Sequence, residues 1–270
     1  MTKEARPIIT LTTDFGGGHY VGAMKGVILD ICPDTSIVDI THDVASHNIL
    51  DGAFSLLCAY SYFPSRTVHL AVVDPGVGSD RRGIVVVTEK YFFVGPDNGI
   101  FSFIYNQESV QKVIAIESDK HTRQPISPTF HGRDVFAPIA AWLVRGTPIE
   151  ELGTEIKNYL NAGLPSVKKI SSAHLEGTVI HIDTFGNVIT NITPEHVSQL
   201  LDNNDLLRFS VHGQQISQHY RFYAEAPPEQ IFYTIGSSGY YEIAISERRA
   251  ADTLGVEHGH QIDLEMIPHK

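Results

Sequence analysis

The nine residues from Asp74 to Arg82, DPGVGSDRR, bring together an acid, a glycine-rich turn and two guanidinium groups. They follow an apolar β-type run, Val68 to Val73, which sets Asp74 at the carboxyl end of a buried strand. Gly76 and Gly78 allow backbone conformations that residues with side chains resist, so the segment can fold Arg81 back toward Asp74. Ligands of open α/β sheets bind just outside the carboxyl ends of strands. A carboxylate there, with a cation in reach, suits the holding of a nucleophile or the handling of a proton. The same residues would also serve as an ion pair that locks a turn. Spacing alone leaves Arg82 a rival to Arg81.

Further polar clusters fall at predicted strand ends or turns. In TTDFGGGHY, Asp14 closes the first strand and Gly16, Gly17 and Gly18 open the next helix. The spacing is neither G-x-G-x-x-G nor G-x-x-x-x-G-K-[ST], which argues against a phosphate cradle. An acid in this place accepts hydrogen bonds from a ribose diol, or simply caps the helix. Thr41-His42-Asp43 with His47 forms another cluster, and GPDNG, Gly95 to Gly99, reads as a plain turn opening a helix at Ile100. In FHGRDVFAPIAAWL, His131 stands at a helix entrance, as a site member or as a cap. In the second half, HIDTFGNVITN holds Asp183, Phe185 and Asn187 around a glycine. A carboxylate, an aromatic face and an amide so close together can bind an ammonium, stack on a base and hydrogen-bond to it. An Asx-turn hairpin is the competing reading. Ser237 then precedes a strand that contains Glu242 and Ile245.

The elements that must position these residues change character along the chain. Strands are predicted at Ile8–Thr12, Ile37–Ile40, Val68–Val73, Ile84–Thr88, Tyr91–Val94 and Val113–Ile116, and helices at Tyr20–Ile31, Ile49–Tyr62 and Val135–Val144. Such alternation predicts a mostly parallel sheet flanked by helices. A polar stretch, Asn158 to Ala173, reads as a linker. Beyond it come short strands at Gly177–Asp183, Val188–Asn191, Leu206–Val211, Ile231–Ile235, Tyr241–Ile245 and Gln261–Met266, the pattern of a smaller all-β, barrel-like unit. The division is set at 1–165 and 166–270.

The 270 residues are 42% hydrophobic, enough for a substantial core, and the formal charge is −11. That charge disfavours nucleic acid and anionic membrane surfaces as partners. The two cysteines, Cys32 and Cys58, sit in apolar stretches and read as buried thiols of a reducing compartment. No apolar run approaches a membrane span, and MTKEARPIITL lacks the apolar segment of a signal peptide, so a soluble cytoplasmic protein is expected.

TDFG, THD, DPGVG followed by RR, GPDNG, FHGRD, D-x-FGN-x-x-TN and S-x-G-Y-x-EIA occur in this order between Pro7 and Met266. The ordered series resembles the S-adenosyl-L-methionine hydrolases, or SAM hydroxide adenosyltransferases, relatives of the enzymes that make 5′-fluoro- and 5′-chloro-5′-deoxyadenosine. The resemblance implies an N-terminal α/β layer, a C-terminal β-barrel, and a homotrimer with active sites shared between subunits. It implies hydrolysis of S-adenosyl-L-methionine to adenosine and methionine, with no metal or redox cofactor. Asp74, Arg81 and His131 would position water, Asp14 would hold the ribose hydroxyls, and Asp183 would meet the methionine ammonium. Phe185 would flank the ligand. Asn187, Ser237, Glu242 and the Ile245 backbone would bind the adenosine. The halide-using relatives carry Tyr where this chain has Asp74, and they insert a loop that is missing between Arg82 and GPDNG. His19 and Ser246–Arg249 depart from the family's usual residues. A nucleoside-binding protein without turnover, a SAM-dependent 5′-halogenase, and a metal-dependent phosphohydrolase built on THD, Asp14, Asp97 and His131 remain the alternatives.

Overall fold

The computed structural model describes residues 6–163, 165–198 and 205–268. Residues 1–5 of the amino-terminal stretch and residue 164 of the expected linker lie outside them. The chain divides into two compact units, Met1–Leu164 and Pro165–Lys270.

The first unit runs β1 (Ile8–Thr13), α1 (His19–Ile31), β2 (Ser36–Thr41), α2 (Ile49–Tyr60), β3 (Val68–Val72), β4 (Gly83–Thr88), β5 (Phe92–Pro96), α3 (Ser102–Gln107), β6 (Val110–Ile116), α4 (Ala137–Val144) and β7 (Gly153–Glu155). The sheet order is β2-β1-β3-β5-β4-β6-β7. The first four strands in that order pair in parallel, and the pairings of β4, β6 and β7 are antiparallel. β4 and β5 reverse direction because only Glu89, Lys90 and Tyr91 join them, too few residues for a parallel crossover.

Ile9, Leu11, Leu70 and Val72 face α1 and α4 in one apolar cluster. Val21, Met24 and Ile28 supply the buried stripe of α1 at helical spacing. Asn48 caps α2, its side chain accepting from the Asp51 N–H at 3.1 Å. β2 and β3 lie on opposite sides of β1, so right-handed connections carry α1 and α2 to opposite faces of the sheet. The carboxyl ends of β1 and β3 therefore flank the point where the winding reverses.

The second unit runs β8 (Lys168–Ser171), β9 (His174–Ile182), β10 (Val188–Thr190), α5 (Pro194–Ser198), β11 (Asp205–Val211), β12 (Gln214–Ile216), β13 (Ile231–Ile235), β14 (Tyr241–Ile245), α6 (Ala250–Leu254) and β15 (Gln261–Pro268). Its strands pair antiparallel in the order β12-β11-β15-β9-β10-β14-β13, with β8 added on β9. The Tyr233 N–H of β13 donates to the Gln218 carbonyl just beyond β12, 2.9 Å away, so the sheet curls nearly closed. Ala250, Ala251 and Leu254 of α6 join its core.

Three expectations need correction. The stretch 158–173 is not a bare linker: Lys168–Ser171 forms β8, and Asn158 to Ala162 are hydrogen-bonded to the first unit. Cys58 is exposed, on the outer side of α2, and Cys32 is half-buried, at the cap that follows α1 and not in the core. The helix expected from Val135 begins earlier, with a π-helical turn over Gly132–Phe136.

Candidate active site

Asp74 leaves the sheet two residues after β3, and the chain turns at once, the Val77 N–H donating to the Asp74 carbonyl at 3.1 Å. Gly78 has φ +79°, and a Cβ on it would lie 2.3 Å from the Pro128 carbonyl oxygen. Only glycine lets the loop tip rest on the segment that leads into His131. Folding back, Arg81 forks onto Asp74: Nε donates to Oδ1 at 2.7 Å and an Nη to Oδ2. The same Nη lies 2.8 Å from Nδ1 of His131. The guanidinium also lies over the Phe136 ring, 5.3 Å from its centroid. Side-chain exposure is 5% for Asp74 and 11% for Arg81, so the pair is largely desolvated and each charge depends on the other.

Arginine has donors only, so Nδ1 of His131 accepts and the proton of the neutral ring sits on Nε2. Burial, and then the Arg81 charge, hold the imidazole below its ordinary pKa, against the opposing pull of Asp74 and Asp134. The result is an ion pair beside a neutral imidazole that presents an N–H. His131 enters a π-helical turn, a local irregularity that recurs at functional positions.

The geometry separates the two arginines. Arg82 points away from Asp74 and forks onto Asp97, with Nε 3.2 Å and an Nη 2.7 Å from Oδ2. Asp97 and the Arg133–Asp134 pair of FHGRD are accordingly engaged in ion pairs of their own. Asp134 is fully buried. Burial alone would raise its pKa, but the Arg133 fork, the Ser127 N–H and the charges of Arg133 and Arg123 outweigh that and hold it low.

Asp14 ends β1 beside β3, since Thr13 registers with Val72. It does not cap α1, whose N-cap is Gly18. Instead it accepts from the His47 N–H at 2.9 Å, and His47 holds φ +64° to make that approach. Nδ1 of His42 lies 2.9 Å from the Thr13 hydroxyl, and its Nε2 lies 3.1 Å from Asp39. THD, Asp97 and His131 are thus engaged with different partners and do not form one ligand set. Phe15, Tyr20 and Phe130 pack together beside these loops, with centroids 5.1–6.1 Å apart.

In the second unit, Asp183 organises the β9–β10 turn. Its Oδ1 accepts from the N–H groups of Phe185 and Asn187 at 2.9 and 2.8 Å, and its Oδ2 accepts from the Asn187 side chain at 2.9 Å. Gly186 takes φ +84° to complete the turn. Glu242 on β14 is 5% exposed and accepts from the Tyr223 hydroxyl, which lies 3.4 Å from the Asn187 amide. Burial raises the Glu242 pKa and the Asp183 charge raises it further, while the Tyr223 hydrogen bond draws it back. Asp183, Asn187 and Glu242 are brought together. Phe185 projects outward, 75% exposed. Ser237 lies in the turn between β13 and β14, and the Ile245 carbonyl accepts from the Arg248 N–H at 3.3 Å. Sequence reasoning missed Tyr223, which sits on a short helical turn with no spacing that ties it to Glu242.

Fold and site define a class: a doubly wound α/β unit with a carboxylate–guanidinium–imidazole set at its strand ends, followed by a nearly closed antiparallel β unit. The SAM hydroxide adenosyltransferase N-terminal domain matches residues 9–153, and the C-terminal domain of the same family matches residues 177–263. The chain belongs to the SAM hydroxide adenosyltransferase family. It is 43% identical over 206 residues to a Methanocaldococcus jannaschii protein named (R)-S-adenosyl-L-methionine hydrolase, covering 73% of this chain and 72% of that one. A protein of the same name from Thermus thermophilus is 33% identical across 96% of this chain and 99% of its own. The crystal structure of an uncharacterized conserved protein from Thermotoga maritima superposes with a TM-score of 0.86 at 34% identity, over 95% of this chain and 99% of that one. Proteins named fluorinase are more distant, that of an Actinoplanes species being 25% identical over 71% of this chain and 74% of its own.

Proposed function

We propose that this protein hydrolyses S-adenosyl-L-methionine to adenosine and L-methionine, and that the sulfonium epimer it uses is the (R) form named in its relatives. The observation that carries the reading is the convergence of Asp74, Arg81 and His131 at a strand end beside Asp14.

The substrate sulfur is a cation, so methionine departs as a neutral thioether and needs no general acid. The task left to the protein is to hold water in line with the C5′–S bond, and such alignment is worth up to about 7–11 kcal/mol. Each Asp74 oxygen keeps a lone pair after the Arg81 fork and can accept a water proton. The Nε2–H of His131 can hold the water oxygen. Water oxygen forms the new bond to C5′, the C5′–S pair goes to sulfur, and one proton leaves by way of Asp74 for solvent. Asp14 takes the ribose hydroxyls with its remaining acceptors.

In the second unit Asp183 receives the substrate ammonium, Phe185 covers the ligand, and Asn187, Ser237, Glu242 and the Ile245 backbone hold the adenosine. A carboxylate at position 74 repels a halide, which favours hydrolysis over halogenation. No Lewis acid is needed for a neutral leaving group, so we propose turnover without a metal or redox cofactor. A cytoplasmic homotrimer with shared sites is part of the proposal, resting on the family resemblance; sedimentation tests the assembly.

The deciding experiment incubates the purified protein with each sulfonium epimer, with and without a chelator and halide. Equimolar adenosine and methionine from the (R) epimer, undiminished by chelator, is expected. Tight adenosine binding with no product would convert the reading to a nucleoside-binding protein, and 5′-halo-5′-deoxyadenosine would convert it to a halogenase.

A further inference from the structure

The loop that carries Asp74 and Arg81 joins β3 to β4, yet these strands are not neighbours: β5 lies between them. β3 runs parallel to β5 and β4 antiparallel, with Gly83 opposite Pro96, so the loop must arch over the carboxyl end of β5. What emerges beneath the arch is Asp97-Asn98 of GPDNG. Gly95 just before it passes so close to β3 that a Cβ would meet the Ala71 carbonyl oxygen at 2.3 Å.

Both feet of the arch are held from there. The Asn98 amide donates to the Val73 carbonyl at 2.8 Å, fixing the peptide that leads into Asp74. Asp97 holds Arg82 twice: its N–H donates to the Arg82 carbonyl at 2.9 Å, and its carboxylate accepts the Arg82 fork. Its other oxygen accepts from the Leu160 N–H at 2.7 Å, and Arg82 also reaches Asn158 Oδ1 at 3.1 Å. The Asp97 side chain is 5% exposed while Arg82 is 36% exposed, so the carboxylate is buried and depends on these partners although the guanidinium still reaches solvent.

We propose that Asp97 and Asn98 are positioning residues: through Arg82 and Val73 they set the distance and orientation of Arg81 and Asp74 at the reacting water. The consecutive arginines then divide the work, Arg81 facing the chemistry and Arg82 anchoring it from behind. This rests on the hydrolytic reading of Asp74, Arg81 and His131, but its structural half can be tested without turnover.

The test compares wild type with Asp97→Asn, Arg82→Lys and Asn98→Ala by steady-state kinetics, and follows the His131 ring by NMR titration in the first two. A misplacement of about an ångström costs on the order of a hundredfold in rate, so kcat should fall tenfold to a hundredfold in each, with KM within about threefold. In Asp97→Asn the His131 titration should move up toward the ordinary imidazole range as Arg81 withdraws from Nδ1. Where Asp97→Asn does not fold, Arg82→Lys carries the same NMR readout, since lysine cannot fork. Folded variants with kcat within twofold of wild type overturn the proposal, as does a change in KM alone, or a rate loss with the His131 titration unmoved. A wild-type protein without turnover would sink the hydrolytic reading, while the His131 titration would still decide the brace.

Discussion

The two polar clusters solve opposite electrostatic problems. In the first unit, Asp74 and Arg81 cancel each other beside a neutral imidazole, so the cluster is balanced before anything binds. In the second unit, Asp183 and Glu242 are drawn together by a neutral amide and a neutral phenol, and the Asp183 charge adds to burial in raising the Glu242 pKa. A balanced cluster suits a neutral guest such as water. An unbalanced pair of carboxylates is improved by a cation, which the ammonium of the proposed substrate supplies. In the proposed reaction the same residue type thus serves nucleophile positioning in one place and substrate capture in the other.

The contrast between a carboxylate that handles the nucleophile and one that only binds breaks if their mutations have the same kinetic signature. Asp74→Asn keeps the shape and removes the proton acceptor, and should lower kcat by roughly 10²–10⁴ while leaving KM nearly unchanged. Asp14→Ala, by loss of charged hydrogen bonds worth about 1.5–3 kcal/mol, should raise KM roughly tenfold to a hundredfold with a smaller effect on kcat. A kcat effect for Asp14→Ala as large as that for Asp74→Asn would dissolve the distinction between reacting and binding carboxylates.

Tyr223→Phe sharpens the second half of the comparison. It removes the hydrogen bond that draws the Glu242 pKa down, so that pKa should rise further, and substrate affinity should fall several-fold, about 1 kcal/mol. Calorimetric titration with adenosine checks it, and unchanged affinity would remove Tyr223 from the site.

The smallest effect is in stability against pH, and its sign differs between the clusters. The His131 pKa is depressed, so its contribution is present above the ordinary imidazole value and is lost as pH falls through the folded value. The Glu242 pKa is raised, so its contribution is present below the ordinary carboxylate value and is lost as pH rises through the folded value. Denaturant titrations across pH should show His131→Gln lessening the acid-side loss and Glu242→Gln lessening the loss on the rising side. The same sign for both would contradict the assignment.

The inner parallel strands were legible because burial on both faces makes them near-continuous apolar runs; all five residues of β3 are buried, whereas the edge strand β2 exposes Val38 and Asp39. Asp74, Arg81 and His131 were legible as candidates because a glycine turn, a helix entrance and the family resemblance marked them. The different partners of Arg81 and Arg82 were not legible from spacing, because they depend on β5 lying between β3 and β4, a fact of sheet order. GPDNG read as a plain turn, and it is one, with Asn98 Oδ1 accepting from the Ile100 N–H at 3.2 Å. Its second task appears only when the arch is built above it. Tyr223 was invisible because its partner is on β14, 19 residues on. The short elements β7, β8, β12, α5 and α6 carry three to five residues each, too few for a periodicity to register.

Turnover of the (R) sulfonium in H₂¹⁸O, read by mass spectrometry of both products, tests the central claim most directly. Attack at C5′ by a water held between Asp74 and His131 predicts one ¹⁸O in adenosine and none in methionine, with the incorporation rate collapsing in Asp74→Asn. Adenosine formed without label, or label acquired at the same rate by Asp74→Asn, would contradict it.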